Sequence, residues 1–258
     1  MKLNYRRTVF VGLAFMSICA FWQVYDNIIP LILKYTFHVD DTLTGVVMAM
    51  DNILALVMLP MFGKFSDRTR TAIGRRMPYI LGGTVGALLF MFLLPLAERT
   101  ENLALFFIGL ALVLISMATY RSPAVALMPD VTPKPLRSQG NAVINLMGAV
   151  GGMLMLAAMQ FLLPGAKEGE AYRPNYLPIF IVLGVCMAVC VALLFWKINE
   201  PKCVAEMEAE SVGLEEEPEP EKNAGTGEKL KGPQLRSLLL ILASVALWFM
   251  GYNAVTSG

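Results

Sequence analysis

Residues 103–117 read LALFFIGLALVLISM, a run with no charge and no alternation of polar and apolar side chains. A strand of a membrane barrel would show about ten residues of alternating polarity, so the run is read as a helix. Continued to Met128 it has the roughly 20 apolar residues needed to cross about 30 Å of hydrocarbon. Working outward, comparable runs recur at Val9–Leu33, Thr44–Phe62, Pro78–Ala97, Asn141–Leu163, Leu177–Trp196 and Ser237–Val255. Seven membrane helices are therefore expected, and the short polar joints between most of them predict antiparallel neighbours.

Composition agrees. The chain of 258 residues is 56% hydrophobic and 16% charged, too apolar for a water-facing surface. Its net charge of +1 excludes the one-sided basic field of a nucleic-acid binder. Cys19, Cys186, Cys190 and Cys203 form no C-x-x-C pair, so neither a disulfide framework nor a structural metal is expected. No P-loop, H-E-x-x-H or G-x-S-x-G is present, which argues against an enzyme or an ATP-driven pump and implies no cofactor.

Lys2, Arg6 and Arg7 precede the first apolar run, as in a secretory signal. That run continues through Trp22, Gln23 and Asp26 with no small-x-small cleavage site, so it is read as an uncleaved first helix. Placing the N-terminus in the cytoplasm puts 16 Lys and Arg residues inside and leaves only Lys34, Arg99, Lys167 and Arg173 outside. The expected location is the cell membrane, with both the N-terminus and the acidic linker in the cytoplasm.

Residues 199–235 differ in kind. Glu215, Glu216, Glu217, Glu219 and Glu221 alternate with Pro218 and Pro220, a composition that cannot pack a core and predicts a disordered linker. The expected organisation is a six-helix bundle over 1–198, the linker over 199–235, and over 236–258 a truncated seventh helix that starts a second bundle.

Between the second and third spans stands Gly63-Lys64-Phe65-Ser66-Asp67-Arg68-Thr69-Arg70-Thr71-Ala72-Ile73-Gly74-Arg75-Arg76-Met77-Pro78. Glycines at 63 and 74 permit tight turns where helices leave the bilayer, and a carboxylate among four guanidiniums should be ionised and paired. The loop resembles the G-x-x-x-D-R…G-R-R signature of the major facilitator superfamily. It has the extended form typical of glycoside-pentoside-hexuronide:cation symporters and sucrose/proton symporters. Arg121-Ser122-Pro123-Ala124-Val125-Ala126-Leu127-Met128-Pro129-Asp130 resembles that family's link between its fourth and fifth helices, and Trp248-Phe249-Met250-Gly251-Tyr252-Asn253-Ala254 the start of its seventh. The resemblance implies an all-α membrane fold and the N-terminal half of a twelve-helix transporter whose other half is its partner. It also implies that Gly63, Asp67, Arg68, Gly74, Arg75 and Arg76 gate the cytoplasmic side.

Asp26, Asp51 and Arg121 are the ionisable residues left inside the spans. Such groups are expensive in lipid and ordinarily face a cavity or a partner. Asp26 lies seven residues before Leu33 and Asp51 seven after Thr44, which predicts similar depth on adjacent helices and a shared cavity. Either carboxylate could carry a coupling proton. Arg121 can fork to a carboxylate or to vicinal sugar hydroxyls. Trp22, Gln23 and Asp26 offer the ring, amide and carboxylate with which proteins hold sugars, Asn52 is added as a candidate for the same cavity, and Asn145 on helix five is a further substrate-binding candidate. On helix five Asn141, Asn145, Gly148 and Gly152 fall along one stripe. Gly148 with Gly152, and Gly82 with Gly86, form G-x-x-x-G packing pairs.

The expected function is proton- or cation-coupled sugar or glycoside symport by alternating access. Protons are favoured over sodium because the fourth span has no carboxylate in its apolar portion. A carrier or exporter of a non-sugar solute, or a non-transporting membrane scaffold or receptor, remains the alternative.

Overall fold

The computed structural model describes residues 3–163 and 174–211, together with Leu240 and Ser244. The first compact unit runs Met1–Leu214. The expected seventh span and residues 212–235 of the linker lie outside the described residues, those two positions excepted.

Among the described residues the fold is all helical. It comprises α1 (Tyr5–Tyr35), α2 (Asp41–Arg68), α3 (Met77–Met91), α4 (Leu93–Arg99), α5 (Leu103–Asp130), α6 (Arg137–Leu162), α7 (Leu177–Lys197) and α8 (Glu200–Ser211), with a 3-10 turn at Lys134–Leu136. Six spans among the described residues are long and apolar enough to cross a membrane, α3 and α4 together making the third, Met77–Arg99. A helix satisfies every backbone polar group within its own segment, the requirement that lipid imposes. The ends are set by polar caps. The Asn4 side chain accepts from the Arg7 N–H at 3.1 Å, Asp40 from Thr42 at 3.1 Å and Asn102 from Leu105 at 3.0 Å.

The break between α3 and α4 falls where Pro95 dictates. Proline lacks an N–H and its ring collides with the carbonyl four residues back, which is that of Met91, the last residue of α3.

Helix α1 is the centre of the bundle, packed against α6, α7, α5 and α2, while α3 packs on α5. In lipid, close packing replaces the hydrophobic effect, and small residues permit it. A methyl group at Gly148 would collide with Cys19 Sγ at 2.8 Å, and one at Gly151 with the Met16 backbone, so α6 lies directly on α1 here. On α3 one member of the expected pair, Gly86, makes a close contact and the other, Gly82, gives way to Gly83. Gly82 faces open space, whereas a methyl at Gly83 would lie 2.8 Å from the Ser116 carbonyl and one at Gly86 2.7 Å from Ser116 Oγ. Helix α2 is the outlier. Only Thr44 and Ser66 are buried along it, and Leu43, Val46, Ile53, Leu56 and Val57 are exposed.

Where the composition from Asn199 onward predicts a disordered linker, the structure has α8. The linker expectation fails over Glu200–Ser211 because two local devices outweigh the charge. Asn199 Oδ1 caps the Lys202 N–H at 3.2 Å, and Cys203 and Val204 pack against the apolar core of the bundle.

Candidate functional site

Three helices meet around a small, partly open cavity of about 20 Å³ at mid-depth in the bundle. Trp22 comes from α1, Asp51 from α2 and Arg121 from α5, with Leu54, Ala55, Leu59, Leu114 and Ala118 completing the wall. The antiparallel course explains the meeting. Trp22 is seventeen residues into α1 and Asp51 seventeen before the end of α2, so at 1.5 Å per residue both stand about 25 Å from the same end of the bundle. Arg121 is one residue past Tyr120, whose fully buried hydroxyl fixes α5 to α1. It donates to the Ala14 carbonyl at 3.0 Å and contacts Ser17 Oγ.

The Arg121 guanidinium carbon lies 5.4 Å from the centroid of the Trp22 ring, a cation–π geometry. It is also within electrostatic reach of Asp51, although no ion pair within 4.0 Å joins them among the described residues. Three polar atoms here are buried and make no hydrogen bond to protein: Trp22 Nε1, Asp51 Oδ1 and the hydroxyl of Tyr25, whose ring packs edge-on against Trp22 at 5.2 Å. Buried polar groups are almost always paired, so a donor on Trp22 and an acceptor on Asp51 left over on the lining of a single cavity, with the Tyr25 hydroxyl outside that lining, mark a place built for a polar guest.

The other sequence candidates are placed elsewhere. Asp26 is exposed, one turn beyond Trp22, and interacts electrostatically with Asp51 without lining its cavity. Gln23 turns to α6, where a methyl at Gly152 would lie 3.5 Å from its Oε1. Consecutive helical residues diverge by about 100°, so Trp22 and Gln23 cannot serve one cavity of this size. Asn52 and Asn145 are exposed on α2 and α6 and do not line the cavity.

The second polar locus is the basic end of the bundle. Arg76, 5% exposed, gives its Nη2 to Asp67 at 2.5 Å, its Nε to Asp130 at 2.8 Å and its Nη1 to Ser66 at 2.5 Å. Arg75 reaches the other oxygen of Asp130 at 2.8 Å. Burial alone would depress the Arg76 pKa, but the hydrogen bond and charge of Asp130, and then Asp67, outweigh it and hold the pKa above its ordinary value. Arg68 and Arg70 are exposed. Glu200, the first residue of α8, is buried beneath the loop. Its carboxylate accepts the backbone N–H groups of Arg75 at 2.9 Å, Arg76 at 3.0 Å and Met77 at 2.9 Å. An anion is thus supplied by another helix to the N-terminus of α3, where unpaired donors and the helix dipole favour it.

Gly74 makes this possible. Its φ of 114° suits glycine alone, and a side chain there would occupy the space of the Glu200 carboxylate. Gly74→Ala is expected to lower stability by about 3 kcal/mol, combining backbone strain with loss of charged hydrogen bonds. Gly82→Ala, with open space around it, should be neutral. Thermal unfolding of the two variants in detergent checks this, and equal melting temperatures would contradict the role given to Gly74.

Asp130 and Glu200 were not singled out from sequence as site residues. Asp130 stands within a quoted motif, and Asn199-Glu200-Pro201 has the cap and early proline of a helix start, a signal masked by the acidic stretch that follows.

Residues 11–258 match the family model described as Major Facilitator Superfamily. The chain belongs to that superfamily. It is similar to solute carrier family 45 member 3 of Mus musculus, 28% identical over 187 residues, covering 66% of this chain and 32% of the relative. It is also similar to proton-associated sugar transporter A of Homo sapiens, 28% identical over 172 residues, covering 62% of this chain and 23% of the relative. Sucrose transport protein SUT3 of Oryza sativa subsp. indica is 28% identical over 138 residues, covering 46% of this chain and 27% of the relative. The matched regions thus span about a third or less of each of these relatives.

Proposed function

We propose that this chain forms the first half of a proton-coupled sugar carrier that works by alternating access. The observation that carries the proposal is the convergence of Trp22 Nε1, Asp51 Oδ1 and the Arg121 guanidinium, from three helices, on one cavity at bilayer depth. At about 20 Å³ the cavity has room for about one water molecule, so it must widen during the transport cycle before the indole ring stacks on the C–H face of a sugar and the guanidinium and carboxylate bond its hydroxyls. Two of the similar proteins carry sugar or sucrose transport in their names, which supports the same class of substrate here.

Asp51 is the proton carrier in this reading. Protonation removes its attraction to Arg121, which frees the guanidinium for the sugar, and the loaded or empty site then favours different conformers. Asp26 and Asn145, exposed on the bundle, would face a second bundle across the central chamber. Asp67, its side chain 57% exposed, would meet that bundle at the cytoplasmic end while Arg76 holds its other side. Proteoliposomes containing the intact carrier of which this chain is part provide the test. Sugar accumulation driven by an inward proton gradient and abolished by a protonophore is expected, whereas accumulation that a protonophore leaves unchanged would refute proton coupling.

A further inference from the structure

Arg6, Arg7, Lys197 and Lys202 converge on one surface pocket between the start of α1, the end of α7 and the first turns of α8. Its volume is about 340 Å³, in the range of small-molecule sites. Glu206 is the one carboxylate among the described residues that line it. Arg7, its side chain 12% exposed, is fixed by Glu206 at 3.4 Å, while Arg6, Lys197 and Lys202 are exposed. The lining therefore keeps a strong excess of positive charge.

Its level in the bundle gives the chemistry of the occupant. Arg6 and Arg7 lie in the first turn of the first span and Lys197 is the last residue of the sixth, so the pocket sits where the apolar helices end. Trp196, 75% exposed, carries Lys197 Nζ 3.9 Å from its ring centroid, an aromatic placed as at a membrane–water boundary. Topology needs basic residues only on the correct side of the membrane. It does not need them gathered around a concavity, where their mutual repulsion calls for an anion.

We propose that this pocket binds the phosphate of an anionic phospholipid headgroup. Arg6, Lys197 and Lys202 contact the phosphate oxygens, and Arg7 forms the fixed back wall. A phosphodiester at this level reaches the pocket with its acyl chains lying along α1 and α7, and the attraction of several basic side chains to an anionic headgroup adds up.

The test uses the full chain purified in a neutral detergent, with phosphatidylglycerol, phosphatidylcholine or inorganic phosphate added. Retained lipid is read by native mass spectrometry and protection by thermal unfolding. Phosphatidylglycerol should be retained and raise the melting temperature, and phosphatidylcholine should do neither. The double variant Arg6→Ala/Lys202→Ala should bind phosphatidylglycerol about thirtyfold more weakly, at about fivefold per basic side chain near the surface. Its melting temperature without lipid should be unchanged, because both side chains are exposed. Arg68→Ala/Arg70→Ala, also exposed but outside the pocket, should bind like the unsubstituted chain. Equal losses in the two double variants would reduce the effect to general surface charge and overturn the site. Equal protection by inorganic phosphate would overturn the assignment to a lipid.

Discussion

Replacing Arg76 with alanine is expected to destabilise the bundle by about 3–5 kcal/mol, the cost of removing one partner from a buried ion pair. Most of the loss arises at Asp130, whose side chain is 15% exposed and would keep only Arg75 as an ion-pair partner among the described residues. Less arises at Asp67, whose more exposed carboxylate can recover water. Lysine should not rescue. Its ammonium is a point charge on a flexible stem, whereas Arg76 serves Asp67, Asp130 and Ser66 at once through a planar fork. Thermal unfolding in detergent of Arg76→Ala, Arg76→Lys and the exposed control Arg68→Ala measures this. Equal destabilisation by Arg76→Ala and Arg68→Ala would show that the network is only a set of topological charges.

The second large effect is expected at Asp51. Asp51→Asn keeps the side-chain volume and removes the titratable charge beside Arg121 and Trp22. Under the proton-coupled sugar carriage proposed above, it should lower gradient-driven accumulation in the intact protein by about 5- to 150-fold, the range of typical coupling free energies, while sugar exchange at equal pH persists. Asp26→Asn should have a smaller effect, since Asp26 is exposed and lies outside the cavity. Unimpaired accumulation by Asp51→Asn would remove Asp51 from the coupling mechanism.

Much of this was legible in the sequence because the bilayer imposes a single demand. A segment immersed in lipid must be apolar and helical, so the six spans declare themselves in runs such as residues 103–117. The basic loop was legible too, since Asp67, Arg75 and Arg76 stand close together in the chain. What could not be read is how faces meet. Gly82 and Gly83 are equal candidates for a close contact until the rotation of α3 against α5 is known, and the structure selects Gly83. Trp22 and Gln23 look like one binding surface in a string of letters, yet on a helix they serve different neighbours. Asp51 and Arg121 are 70 positions apart, so their approach to Trp22 exists only after three helices have packed. Glu200 is hidden in the sequence because residues 199–235 join the buried start of α8 to a run rich in glutamate and proline.

The contact between Glu200 and the N-terminus of α3 also sets an order of assembly. The Met77 amide is bonded by a carboxylate 123 residues further along the chain. At the usual pace of a ribosome, about 5–20 residues per second, that partner is polymerised roughly 6–25 s later. Throughout that interval the leading amides of the third span are without this carboxylate, although Arg76 can already meet Ser66 and Asp67 of the second. A nascent chain stalled before Glu200 would thus hold the six described spans yet lack the anion that seals the leading end of the third.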